Sequence, residues 1–226
     1  MAETLPLFPL GTVLLPGASF PLHIFEQRYR QLIADLMTGA VPGRSFGVVA
    51  IKQGHEVGDL HDVRLHEIGC TAVLHEAQRL PDGRFDVVTC GERRFRLTDV
   101  DSSSAPYLVG IVEFVPDDEP HDDQRALLPL LAAAARDAHR YYCRTAWRSE
   151  DWREPAYDVE PQALAHLLAS DCLLALEDRQ RLLEETCPAD RLRLVRQMLC
   201  REAEFLRELR AVPVPFTQFA IETSRN

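Results

Sequence analysis

At 226 residues the chain is long enough for one large domain or two small ones, and 46% hydrophobic with 27% charged residues is a globular composition. No apolar run reaches the roughly 18 residues of a membrane-spanning helix. The start, with Glu3 and proline-broken apolar stretches, is not a leader peptide, so the expectation is a cytoplasmic protein with no membrane partner. The net charge of −10 is uneven: residues 1–123 carry 10 basic and 19 acidic side chains, against 15 and 16 in residues 124–226, which argues against nucleic acid as the partner of the first half.

Residues 5–29 are dense in proline and large apolar side chains, and read as short, stiff, mostly buried extended segments. Pro6, Pro9, Pro16 and Pro21 belong at strand ends, edges or bulges, and Pro16-Gly17 at a turn. Phe20 to Phe25 reads as a strand. A helix follows, with Glu26 in its first turn, Tyr29, Leu32, Ile33, Leu36 and Met37 as its apolar stripe, and Gly39 as its left-handed cap.

Phe46 to Ile51 is a β-branched strand, and residues 52–65 read as loop. Residues 67–79 alternate partly. Pro81-Asp82-Gly83 marks a hairpin returning through Phe85 to Cys90, and Gly91 marks a bulge or bend. Strands over Arg93–Val100 and Tyr107–Val115 complete a set of short, closely spaced strands, as in a small barrel or sandwich. The expected division is a β-rich part over 1–115, an acidic linker over 116–123, and a helical part with a C-terminal tail over 124–226. Helices are expected over 124–148, with Pro129 in the first turns or at the true start, and over Gln162–Ala169 behind Pro161, Glu177–Glu185 and Ala189–Arg210.

Motifs that carry chemistry fail at a required residue. His66-Glu67 and His75-Glu76 begin H-E-x-x, but Cys70 and Arg79 stand where a zinc protease needs its second histidine. Gly17-Ala18-Ser19-Phe20 lacks the final glycine of a nucleophile elbow, and Asp99 starts a calcium-loop pattern that lacks its bidentate glutamate. There is no phosphate loop and no dinucleotide fingerprint. Cys70, Cys90, Cys143, Cys172, Cys187 and Cys200 show no C-x-x-C spacing and read as free, mostly buried thiols. A cysteine–histidine pair meets in space rather than in sequence, so a nucleophilic site stays open. His23, in an apolar strand, reads as a structural histidine.

The run Leu5–Leu10, Val13–Gly17 and Pro21–Tyr29 resembles the start of the N-terminal, substrate-recognition domain of ATP-dependent Lon proteases. The likeness continues in Phe46–Val49, Glu67–Cys70, Leu80–Asp86, Gly91–Leu97, Pro106–Val109, Asp178–Glu184 and Arg191-Leu192. It implies an α+β fold, a PUA-like β-pseudobarrel followed by a helical subdomain. Pro9, Pro16, Pro21, His23, Phe25, Glu26, Arg28 and Tyr29 are then structural residues of the motif. The chain ends where ATPase and protease modules would begin, and Lys52, its only lysine, makes no Ser–Lys dyad, so the resemblance implies a stand-alone, non-catalytic version without cofactor or metal.

The expected function is binding of polypeptide segments. The alternative is an adaptor or regulator that holds a folded partner, such as a protease complex, through Tyr141, Arg144, Trp147 and Trp152, residue types common at interface hot spots. RNA binding, which PUA-like barrels often perform, has only Arg93, Arg94 and Arg96 to offer phosphates. A hydrolase would need one of the six cysteines or eight histidines.

Overall fold

The computed structural model describes residues 2–53, 63–147 and 152–209. The expected tail after Pro213 lies outside them. Among the described residues no helix is long and apolar enough to cross a membrane. The chain forms two compact units: Met1–Asp118 with Arg179–Thr186, and Glu119–Asp178 with Cys187–Asn226. A single cut at the acidic stretch does not yield these units, because the chain returns to the first at Arg179.

The first unit is built on β1 (Glu3–Leu10), β2 (Ser19–Ile24), β3 (Ser45–Gln53), β4 (Arg64–Leu65), β5 (Ile68–Arg79), β6 (Phe85–Asp101) and β7 (Val109–Phe114). The order β1-β7-β6-β5-β3 closes on itself through a β1–β3 pairing, with β4 added to β3 and β2 to β6. β1 makes the closure by changing partners halfway: Glu3–Pro6 pair antiparallel with β7, and Leu7–Leu10 pair parallel with β3. The ring is filled by Leu5, Leu7, Val49, Phe95, Leu108 and Val112. Phe95 fits because Gly69 faces it; a Cβ there would lie 2.5 Å from the ring.

The opening stretch behaves as its prolines demand, with two corrections. Pro16-Gly17 is a turn with Gly17 at φ 78°, and Pro21 sits in β2, whose only strand partner among the described residues is β6. Phe25 is not in the strand and is 53% exposed. α1 (Gln27–Thr38) begins one residue after Glu26, which is its N-cap. Tyr29, Leu32, Ile33 and Leu36 are buried as the periodicity requires, whereas Met37 is exposed, and Gly39 closes the helix at φ 78°. Tyr29 stacks on Phe8 with ring centroids 3.9 Å apart, which ties α1 to β1.

Two expected strands are one. β6 runs unbroken from Phe85 to Asp101, and Gly91 lies inside it where the chain of residues 15–18 comes close. The Gly91 N–H donates to the Ala18 carbonyl at 2.9 Å and its carbonyl accepts from Gly17 at 2.7 Å, leaving no room for a Cβ beside the Leu15 carbonyl. The ladder with β5 shifts register at Cys70/Ala72, where it meets Gly91.

The second unit is helical: α2 (Asp122–Ala146), α3 (Pro161–Ser170), α5 (Pro188–Leu209) and the first residues of α4 (Leu176–Glu184). Pro161 takes the first position of α3 as expected. Pro129 does not start α2 but lies within it. Gln124 reaches Cys187 near the start of α2 and α5, and the Tyr141 hydroxyl donates to Glu204 at 2.7 Å further along both, so the two helices run parallel. The Arg136 guanidinium donates to the Pro155 and Ala156 carbonyls at 2.5 and 2.7 Å, and Arg140 pairs with Glu154 at 2.8 Å, so α2 carries the chain that leads to α3.

Candidate functional site

The β unit carries a cleft of about 580 Å³. One wall is Val63, Leu65, His66 and Glu67, the β4 strand and the turn into β5; the other is Leu97 to Val100 on β6. Pro106, Tyr107 and Leu108 close one side, and Arg28 of α1 lines it as well.

The cleft lies where strand pairing runs out. β5 accompanies β6 only as far as Arg96, beyond which β6 pairs with β7 alone. β4 pairs with β3 alone. Among the described residues, Thr98–Asp101 and Arg64-Leu65 therefore each present one strand edge without a strand partner, whereas the Leu97 N–H is already taken by the Glu67 carbonyl. Such an edge offers peptide N–H and C=O groups to an extended chain. The walls are apolar through Leu65, Leu97, Val100 and Leu108.

Local hydrogen bonds hold the walls. The Leu97 N–H donates to the Glu67 carbonyl at 2.7 Å, and the His66 N–H to the Ala50 carbonyl at 2.9 Å. The Thr98 hydroxyl donates to the Ile111 carbonyl at 2.9 Å, and Asp99 accepts from the Val100 N–H at 2.8 Å. Glu67 pairs with Arg96 at 3.1 Å and Arg28 with Glu26 at 2.6 Å, so charges at the cleft are largely answered within the unit. Tyr107 donates its hydroxyl to Asp35 at 2.8 Å; burial, then the bond to the Asp35 carboxylate, pushes its phenol up to about 12.

The residues named from sequence fall in several places. Arg28 lines the cleft and Tyr29 packs behind it, while Pro9 is buried in β1. His23 is exposed on β2, where its Nδ1 lies 2.6 Å from Asp86 and its Nε2 3.1 Å from Arg84, a hydrogen-bonded surface network. In the helical unit, Tyr141 is 37% exposed, Arg144 is exposed, and Trp147 is the half-buried C-cap of α2. Trp152 is turned edge-on to His139, with ring centroids 5.9 Å apart. Among the described residues no three His, Cys, Asp or Glu side chains converge to hold a metal ion.

Sequence reasoning missed the cleft because its walls are distant in the chain. A second arrangement was missed too: His139 and Cys143 stand four apart on one face of α2, with Sγ and Nε2 3.5 Å apart.

With this geometry in view, comparison with known proteins is informative. The family profile described as the ATP-dependent protease La (LON) substrate-binding domain matches residues 4–201. Lon protease 1 of Thermus thermophilus is 28% identical over 205 residues, covering 88% of this chain and 25% of that protein. Lon protease 2 of Sorangium cellulosum is 29% identical over 220 residues, covering 91% and 26%. The chain thus spans about a quarter of the length of these relatives. Among solved structures, a Lon N-terminal domain protein from Xanthomonas campestris aligns with a TM-score of 0.56 at 27% identity, over 84% of this chain and 95% of that one. The N-terminal domain of Mycobacterium avium complex Lon protease aligns with a TM-score of 0.63 at 23% identity, over 87% and 98%, and speaks for the fold.

Proposed function

The chain belongs to the family of Lon substrate-binding domains, and from that premise we propose that it is a non-enzymatic module that binds extended polypeptide segments in the cleft of its β unit. The observation that carries the reading is the meeting of two unpartnered strand edges with apolar walls. A client segment adds as a strand along Thr98–Asp101 or Arg64-Leu65, and its alternate side chains enter between Leu65, Leu97, Val100 and Leu108. Main-chain pairing accounts for tolerance of many sequences, and the apolar walls for a preference for segments that folded proteins hide. The acidic excess of residues 1–123 supports a polypeptide client over RNA.

The test is binding of a permanently unfolded, cysteine-blocked model polypeptide to the full chain, read by fluorescence anisotropy. Val100→Glu places a charge in the cleft at a residue already 38% exposed, so folding tolerates it. Binding is expected to weaken about tenfold, equivalent to about 1.4 kcal/mol. Peptides with N-methylated backbones are expected to bind more weakly than their parents, because strand addition needs the N–H groups. Binding unchanged by Val100→Glu but lost with Arg144→Glu would move the site to the helical face and favour the folded-partner reading.

A further inference from the structure

The helical unit contains a pair of thiols that its own packing brings together. Cys143 lies on α2 and Cys172 just beyond α3; both are almost wholly buried, and neither is in a disulfide. Two observations fix their proximity. The Leu173 N–H donates to the Tyr142 hydroxyl at 3.0 Å, which clamps the immediate neighbours of both cysteines to each other. The Cys172 thiol also lies within hydrogen-bonding reach of Cys143, besides donating to the Leu168 carbonyl at 3.1 Å. A thiol has one proton, so when Cys143 is a thiolate the Cys172 proton can turn to it.

On its other side Cys143 meets the His139 imidazole, 3.5 Å from Nε2. His139 is itself 2% exposed and is held by the edge of Trp152. The Cys172 hydrogen bond and then the His139 contact outweigh burial and bring Cys143 down to about 6 from the usual 9.0, while Asp171 opposes them. Glu202 of α5 bears on the adjoining Tyr142. Cys70 in the β unit is the contrast: it is equally buried, its thiol donates to the Thr71 carbonyl rather than meeting an imidazole, and desolvation pushes it up to about 12. Burial alone therefore makes an inert thiol in this protein, and the Cys143–Cys172–His139 grouping is built differently.

We propose that Cys143 and Cys172 are a peroxide-oxidisable pair, with Cys143 the attacking sulfur, Cys172 the resolving sulfur and His139 the positioning residue that lies against Cys143. The Cys143 thiolate attacks a hydroperoxide oxygen; an S–O bond forms, the O–O bond breaks, and the departing hydroxide leaves as water with the proton that Cys143 gave up. The Cys172 sulfur then attacks the Cys143 sulfenic sulfur; the S–S bond forms, the S–O bond breaks, and the hydroxyl leaves as water with the Cys172 proton. Two thiols and one hydrogen peroxide give one disulfide and two waters. The new bond staples α2 to the end of α3. The proposal does not depend on the binding reading, since it concerns the other unit.

The test uses the full chain treated with a few equivalents of hydrogen peroxide, unfolded in alkylating agent, digested and mass-analysed. The expected product is a Cys143–Cys172 cross-linked peptide, two hydrogens lighter than its parts, with Cys70 recovered fully alkylated. In Cys172→Ser the expected product is a Cys143 sulfenic acid trapped by dimedone. Wild-type Cys143 alkylation, followed against pH, is expected to have its midpoint near 6, and His139→Gln to move that midpoint upward by at least a unit while circular dichroism stays native. Should His139→Gln unfold, the wild-type profile alone decides. Recovery of both thiols reduced under conditions that oxidise Cys90, Cys187 and Cys200 overturns the proposal. So does a wild-type midpoint near 9, or cross-links scattered evenly among the six cysteines.

Discussion

Arg94 offers a demanding test of how the β unit holds the returning segment 179–186. Its guanidinium is almost wholly buried. It donates to the Leu183 and Glu185 carbonyls at 3.1 and 2.7 Å and to the Pro116 carbonyl at 3.2 Å, and it pairs with Asp117. Leu183 is in the last turn of α4 and Glu185 directly follows the helix, where carbonyls have no partner within the helix. Arg94→Ala strands those acceptors and removes the cation that answers Asp117. A hydrogen bond to a charged group is worth about 1.5–3 kcal/mol net, but these share one side chain and are not additive. Asp117, 30% exposed, recovers water when the partner is gone, which lowers the cost. The expected loss is about 3–5 kcal/mol, the range for breaking a buried pair from one side. Urea unfolding followed by hydrogen exchange is the suitable assay, because two units need not unfold together. Amides of 179–186 are expected to lose protection before those of β5 and β6. Arg94→Lys should recover only part of the loss, since a compact ammonium cannot reach four acceptors in the fork geometry. A loss below about 1 kcal/mol with unchanged protection over 179–186 would falsify this account.

Three other outcomes follow from single contacts. Gly91→Ala should cost about 2–3 kcal/mol in urea unfolding, because the new Cβ meets the backbone carbonyl of Leu15 and not a side chain that can swing aside; a neutral substitution would show that the turn at residues 15–18 is not held against β6. Tyr107→Phe should cost about 1 kcal/mol through the lost bond to Asp35, and in the wild type ultraviolet titration should show one tyrosine ionising near 12, with stability falling as pH rises from 10 towards that value because the folded state holds the proton longer. Cys143 acts with the opposite sign: its folded value lies below its unfolded one, so stability should rise as pH increases from about 6 to 9.0 and be lost as pH falls through the folded value; a wild-type slope that matches Cys143→Ser would contradict the assignment.

Local signals in the sequence were sufficient for elements and insufficient for connections. The α1 stripe, the Gly39 cap, the hairpin at Gly83 and Pro161 at the start of α3 all rest on residues within a turn or two of each other. Phe25 and Met37 escaped because alternation and helical periodicity assign a face but not where that face ends; both sit at the margin of their elements. Of the two readings of Pro129, inside the first turns or at the true start, the first holds: α2 starts at Asp122 and accepts the proline at an exposed position. Gly91 was legible as a bulge or bend, and the ladder does shift register there, but the two strands read on either side of it are one. Its actual reason, the approach of residues 15–18, is a contact across the fold that no window of sequence contains. The β1–β3 closure, the return of 179–186 and both walls of the cleft were hidden for the same reason.

The cleft also gives physical content to what a substrate-binding domain must do. A site that recognises one folded partner needs a fixed set of side-chain contacts, and its buried polar groups penalise every other ligand. A site for many unfolded segments must draw on what all of them share, which is the peptide backbone and occasional apolar side chains. The unpartnered edges of β4 and of β6 beyond Leu97 supply the first, and Leu65, Leu97, Val100 and Leu108 the second. Glu67 and Arg28 line the cleft already paired with Arg96 and Glu26, so they add little discrimination by charge. What discrimination remains comes from the unit's acidic excess, which disfavours acidic segments at long range while leaving short-range pairing unchanged. Under the proposed reading, weak, backbone-centred and sequence-tolerant binding is the expected behaviour of this geometry. The tight and selective hold of a dedicated adaptor would need the fixed side-chain contacts that the cleft lacks.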